Sequence, residues 1–130
     1  MNSLQLNLNQ HLWEQNQLFL ELEQFLLQNN VHPKQRFKLI TCVLEAVGNV
    51  LHHGKSPLDK VILIIHCSHD CLTVDLLDPS VSPELDMPSH CPERDGENGR
   101  GLWILYNWMD KVNFQHAISG THLRLSLLRH

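Results

Sequence analysis

The sequence predicts an α+β fold: a two-layer sandwich in which a mostly antiparallel mixed sheet carries helices on one face. Three observations lead there. Residues at both ends of the chain alternate leucine with polar side chains, the period-two pattern of a half-buried strand. Two segments near the N-terminus instead repeat apolar residues at steps of three and four, the helical spacing. The elements run β-α-α-β-β-loop-α-β-β, without the regular βαβ alternation that would build a parallel sheet.

The elements follow in order. Ser3 to Asn9 alternates Leu4, Leu6 and Leu8 with polar residues and reads as a short strand. From about His11 to Asn29, Leu18, Leu22 and Phe25, flanked by Phe19 and Leu26, predict one helix. Asn29–Asn30 punctuates it, and Pro33 is placed to open the next. That second helix, about Lys34 to His53, has Phe37, Ile40, Leu44, Val47 and Leu51 along an apolar arc, with Gly54 as its stop. Val61–Cys67 and Leu72–Leu77 predict two strands joined tightly through Ser68–His69–Asp70. Asp78 to Asn98 contains Pro79, Pro83, Pro88 and Pro92 with little periodicity, so it reads as a long loop. Gly101 to Met109 returns to helix. The last elements form a hairpin, with Val112 and Phe114 in one strand, Ser119–Gly120 turning, and Leu123, Leu125 and Leu127 in the other.

Composition narrows the function. A chain of 130 residues, 42% hydrophobic and 18% charged, fits one globular domain over residues 1–130. The net charge is −4 and no Lys/Arg block interleaves with aromatics, which argues against a nucleic-acid partner. The N-terminus lacks a charged n-region and a continuous apolar run, so it does not read as a secretory signal. The longest apolar run, Val61 to Ile65, is too short to cross a bilayer. Together with Cys42, Cys67, Cys71 and Cys91 in no disulfide-framework arrangement, this points to a cytoplasmic protein with reduced thiols and no membrane partner.

Four features could carry chemistry. Glu45, Asn49 and His53 stand four apart and share one stripe of the second helix, opposite the Ile40/Leu44/Val47 arc. The stripe is either a solvated face or a carboxylate and an amide oxygen held one turn apart. Such a pair suits proton removal from a nucleophile and binding of a hard cation such as Mg²⁺. Gly96-Glu97-Asn98-Gly99-Arg100-Gly101-Leu102 is expected directly before a helix, where glycines let the backbone approach and free N–H groups favour phosphate; alone it is equally a loop ending in a cap. Asp78 ends a strand, and Gly120-Thr121 precedes one; each by itself is only turn chemistry.

In order and spacing these segments resemble the Bergerat-fold ATPases, the superfamily of gyrase, heat-shock chaperone, mismatch-repair and histidine-kinase ATPase domains. Leu44-Glu45-Ala46-Val47-Gly48-Asn49, Gly99-Arg100-Gly101-Leu102-Trp103-Ile104-Leu105 and Trp108-Met109-Asp110-Lys111-Val112 look specifically like the bacterial anti-sigma-factor serine kinases. The resemblance spans nearly the whole chain and implies ATP and Mg²⁺ as cofactors. It implies Glu45 as general base, Asn49 as Mg²⁺ ligand and His53 near the phosphates. Asp78 would accept a hydrogen bond from the adenine amino group, with Thr121 beside the adenine pocket. Asp86 to Asn98 would form an ATP lid, hinged at Gly99, Arg100 and Gly101. The implied partners are a sigma factor and a small anti-anti-sigma-type substrate, with a homodimer as the assembly. One departure stands out: the family usually follows its adenine-binding Asp with x-Gly, and this chain reads Asp78-Pro79-Ser80.

Two other readings compete with a serine/threonine kinase. An ATP-binding adaptor would sequester a regulator without phosphotransfer, which the Asp78-Pro79-Ser80 departure favours. A zinc-binding interaction domain would rest on His66-Cys67-Ser68-His69-Asp70-Cys71. Strand alternation puts His66 and Cys67 on opposite faces, so buried cysteine beside surface histidine is the expected arrangement there. Trp103, Tyr106 and Trp108 are expected to pack rather than to form a ligand cage.

Overall fold

The computed structural model describes residues 2–53, 60–79, 97–117 and 120–129. Among these lie β1 (Asn2–Asn7), α1 (Gln10–Glu14), α2 (Gln17–Gln28), α3 (Pro33–His53), β2 (Ile62–Cys67), β3 (Cys71–Asp78), α4 (Glu97–Trp108), β4 (Lys111–Ala117) and β5 (Gly120–Leu128). The five strands form one sheet in the order β1-β2-β3-β5-β4. Each of its four pairings is antiparallel, so the sheet of the described residues is not mixed. β5 enters between β3 and β4, pairing Val74 with Leu125 on one side and Val112 with Leu125 on the other.

Period two decides which side chains meet the helices. Leu63, Ile65 and Cys67 of β2, Leu72, Val74 and Leu76 of β3, and Leu123, Leu125 and Leu127 of β5 are buried. They join Leu22, Phe25 and Leu26 of α2, Leu39, Val43, Ala46 and Val47 of α3, and Leu105 of α4 in a single core. Helices therefore cover one face, as the pattern predicts.

The helices depart from expectation at two points. The segment from His11 to Asn29 is not one helix. Gln15 caps α1, and Asn16 adopts a left-handed conformation (φ 57°) before α2 begins. Asn is one of the few residues that enter this region at low cost, so the break sits at the residue that tolerates it best. At the entry to α1 the Asn9 side chain accepts a hydrogen bond from the Leu12 N–H at 2.7 Å. α4 also begins at Glu97 rather than Gly101. Glycine costs least in a first turn, where N–H groups lack intrahelical partners anyway, and Glu97 is the residue type favoured at a helix N-terminus.

Candidate functional site

α3 is anchored by Leu39, Ile40, Val43, Ala46 and Val47, all buried. The opposite stripe is not freely solvated: Glu45 and Asn49 are both half-buried. Electrostatics locate the Glu45 carboxylate further. Burial pushes the Cys42 thiol up to about 12, and the Glu45 charge adds to that rise while Lys38 opposes it. Gly48 lies between Glu45 and Asn49 in sequence, and a Cβ built there meets nothing within 4 Å among the described residues. A glycine inside a helix costs about 0.5–1 kcal/mol relative to alanine. No contact with the described residues accounts for that cost at Gly48.

Asp78 closes β3, as the sequence suggests, and its residue is only 6% exposed. Its register partner on β5 is Thr121, which is half-buried. The sheet thus brings these two predicted residues side by side at the end of its central strands. Gly120 makes the approach possible. Its φ is +137°, and a Cβ there would fall 2.2 Å from the Asp78 carbonyl oxygen and 2.7 Å from Pro79 Cα. Only glycine fits that position. A cleft of about 450 Å³ reaches Asp78, Pro79, Gly120 and Thr121, with Ile62, Leu77 and His122 contributing from the sheet's outer face.

The remaining predicted residues are placed by backbone alone. His53 is the last residue of α3, and Gly99, Arg100 and Gly101 lie in the first turns of α4 rather than before it. Of the predicted lid, residues 86–96 lie outside the described residues, as does Ser80.

The sequence reading missed one cluster, on the outer face of the sheet. Asp75 is 5% exposed although it points away from the helices. Its carboxylate accepts hydrogen bonds from Arg124 Nε at 2.7 Å and Nη2 at 3.2 Å, and it lies 2.7 Å from His122 Nε2. His66 Nε2 stands 3.6 Å away, with its Nδ1 on Ser3 Oγ at 2.9 Å. Burial pushes the Asp75 carboxyl up, but hydrogen bonds and charge from Arg124 and His122 outweigh that and hold it below the ordinary carboxylate range. The signal was present in the sequence, as a charge at an every-second-residue position of β3 facing His122-x-Arg124 on β5. It could be found only once the β3–β5 register was known.

The same face explains the His66–Cys71 segment. Cys67 is buried in the core and His66 lies on the outer face, the alternation expected. Cys42, Cys67 and Cys71 are free thiols. Among the described residues no three His, Cys, Asp or Glu side chains are grouped to hold a metal ion, and no helix is long and apolar enough to cross a membrane.

Comparison with known proteins agrees with this architecture. Over 98% of its length the chain superposes on part of a crystal structure of the RsbU and RsbW domains of Rv1364c from Mycobacterium tuberculosis, with a TM-score of 0.73 and 13% identity. The chain spans about a third (33%) of the length of that solved protein, and the likeness is one of fold. No curated protein matches the sequence. A family model described as the histidine kinase-like ATPase domain matches residues 14–127, from the end of α1 to the end of β5. By that match the chain belongs to the family of histidine kinase-like ATPase domains.

Proposed function

We propose that this protein is an ATP-dependent serine/threonine kinase of the anti-sigma-factor type, which phosphorylates an anti-anti-sigma-type partner and sequesters a regulator. The observation that carries the reading is the half-buried Glu45–Asn49 stripe in a chain whose family binds ATP. The structural neighbour with an RsbW domain supports it at the level of fold. In this reading Asp78 accepts a hydrogen bond from the adenine amino group, with Thr121 beside the base. Gly99, Arg100 and Gly101, at the N-terminal end of α4, face the phosphates with His53, where free N–H groups and the helix dipole favour anions.

The chemistry asks for positioning and one proton transfer. Glu45 takes the proton from the partner's Ser or Thr hydroxyl as that oxygen bonds to the γ-phosphorus. The bond to the β,γ-bridging oxygen breaks and ADP leaves. Mg²⁺ takes oxygen donors, and the Asn49 amide oxygen, one turn from Glu45 on α3, fits that demand. When bound, the ion would neutralise phosphate charge.

The test separates binding from chemistry. Glu45→Gln should leave ATP and ADP affinity nearly unchanged by calorimetry while slowing phosphotransfer to a partner by ~10²–10⁴-fold. Asn49→Ala should weaken both. Transfer at the wild-type rate by Glu45→Gln would show that Glu45 is only part of a helix surface. A second reading, the ATP-binding adaptor without phosphotransfer, is favoured by Asp78-Pro79-Ser80 standing where the related kinases usually have Asp-x-Gly. ATP binding by a wild-type protein that phosphorylates no partner it captures would decide for the adaptor.

A further inference from the structure

The sheet ends at β1, whose outer edge has no neighbouring strand among the described residues. The β1–β2 ladder decides which backbone groups face that edge. The Leu8 N–H donates to the Val61 carbonyl at 3.0 Å, one step beyond the Asn7–Ile62 register pair. In an antiparallel pair such bonds recur at every second residue, so Leu6, Leu4 and Asn2 also turn their N–H and C=O groups toward β2. Ser3, Gln5 and Asn7 therefore point theirs outward, and all three residues are exposed. Free edges are commonly blunted by charge or proline. The other edge strand, β4, opens with Lys111, whereas Asn2–Asn7 contains neither.

The core also stops short at this edge. Leu4 and Leu6 stand opposite Ile65 and Leu63 in the register. Those two are buried, whereas Leu4 and Leu6 are half-buried. Beside them lies a groove of about 450 Å³ between β1 and α2, with Leu4 and Phe25 as apolar lining and Gln24 and Gln28 as polar lining. Glu21 is the charged side chain that lines it. Arg129 approaches the Asn29 end of the groove, but its guanidinium is tied to the carbonyls of Ser68, Asn29 and Asn30.

We propose that the β1 edge receives an extended segment of a partner protein as a further antiparallel strand, bonded to the backbone of Ser3, Gln5 and Asn7. Its inward side chains are apolar beside Leu4 and Leu6, with a Lys or Arg at Glu21. In this mode of recognition main-chain hydrogen bonds supply affinity, and alternate side chains supply specificity. A second copy of the chain is the poorer occupant. Pairing β1 with β1 turns two Glu21-bearing flanks toward each other, like charge against like. The groove also stands apart from the candidate nucleotide site. Asn2 is level with Leu72 through Cys67, and six residue steps of β3, roughly 20 Å, separate Leu72 from Asp78.

The probe is a short fluorescein-labelled peptide that alternates Thr with Val and carries one Lys among the Val positions, titrated without nucleotide. Opposed residues of an antiparallel pair share a face, so with Val and Lys inward the Thr positions lie opposite Ser3, Gln5 and Asn7 and donate to them. N-methylation at the Thr positions should therefore lower affinity at least ten-fold, and N-methylation at the Val positions should leave it unchanged. Hydrogen exchange of the Ser3, Gln5 and Asn7 amides should slow on binding, while the Leu4 and Leu6 amides, already paired, stay as they were. Gln5→Pro removes an outward N–H that the β1–β2 ladder does not use, so it should retain the unfolding midpoint and ADP affinity while weakening peptide binding at least ten-fold. Glu21→Lys should make a peptide with Glu in place of Lys the better ligand. The methylated peptides and hydrogen exchange decide on the wild-type protein even if Gln5→Pro does not fold, and ADP affinity tests the kinase reading separately. Absence of binding at millimolar peptide, full affinity in the Thr-methylated version, unchanged exchange at Ser3, Gln5 and Asn7, or a dimer that Gln5→Pro converts to monomer in sedimentation would overturn the proposal.

Discussion

Replacing Gly120 with alanine tests the geometry that sets Asp78 beside Thr121. The new Cβ would sit 2.2 Å from the Asp78 carbonyl oxygen and 2.7 and 3.0 Å from Pro79 Cα and C, all backbone atoms. The closest approach falls roughly 1 Å or more short of an ordinary contact, so the β3 end must move away from β5. Such overpacking costs about 1–3 kcal/mol. Holding alanine at φ +137° adds about 1–3 kcal/mol more. A total of about 2–6 kcal/mol is a large part of the ~5–15 kcal/mol that stabilises a domain. At about 3–5 °C per kcal/mol for a chain of this size, the unfolding midpoint should fall by ~6–30 °C. Circular dichroism through thermal unfolding reads the midpoint, and calorimetry on the folded variant should show weaker ADP binding because Asp78 has shifted. Gly48→Ala is the internal control. Its Cβ meets no described residue within 4 Å, so it should raise stability by about 0.5–1 kcal/mol. A Gly120→Ala protein that unfolds within 2 °C of wild type and binds ADP equally would refute the reasoning.

Two further outcomes are expected. Asp75 has a folded-state pKa below its unfolded value, so its contribution to stability is complete above the ordinary carboxylate range, about 3.9, and is lost as pH falls through the depressed folded value. Urea midpoints measured from pH 6 to pH 2 should therefore fall more steeply for wild type than for Asp75→Asn, and parallel curves would assign the acid sensitivity elsewhere. Cys42, fully buried with its thiol raised to about 12, should resist iodoacetamide at pH 8 in the native protein while half-buried Cys71 reacts; mass-spectrometric mapping that finds Cys42 labelled as fast as Cys71 would contradict this burial.

The strands and the long α3 were legible in the sequence because each carries an unbroken period. Leu123, Leu125 and Leu127 alternate as cleanly in the chain as they do in burial. The break at Asn16 was not legible, because Leu12, Leu18 and Leu22 continue an apolar series through it and only the backbone reverses hand. The start of α4 was misplaced for a related reason: Gly99 and Gly101 read as loop residues, yet glycine is tolerated in a first turn. Of the candidate site, Asp78 and Thr121 were each weak in isolation and became neighbours through the β3–β5 register. Asp75 was invisible for the same cause. Its partners Arg124 and His122 lie more than forty residues on, beyond α4 and β4, and no local pattern announces a pairing between distant strands.

The insertion of β5 between β3 and β4 has a consequence for how the protein is made. β2 and β3 can pair as a local hairpin as soon as they leave the ribosome, but the other edge of β3 has no neighbour until β5 arrives. Leu72, Val74 and Leu76 then wait, with one edge of their strand open, through synthesis of residues 79–96, α4 and β4. Closure over that distance is slow compared with forming a helix or hairpin, and an unpaired strand edge is the surface on which chains associate wrongly. A nascent chain stalled before Leu123 would display an apolar strand edge to any holdase nearby. The step that makes Asp78 and Thr121 neighbours is also the step that removes this hazard, so assembly of the candidate site and escape from aggregation occur together.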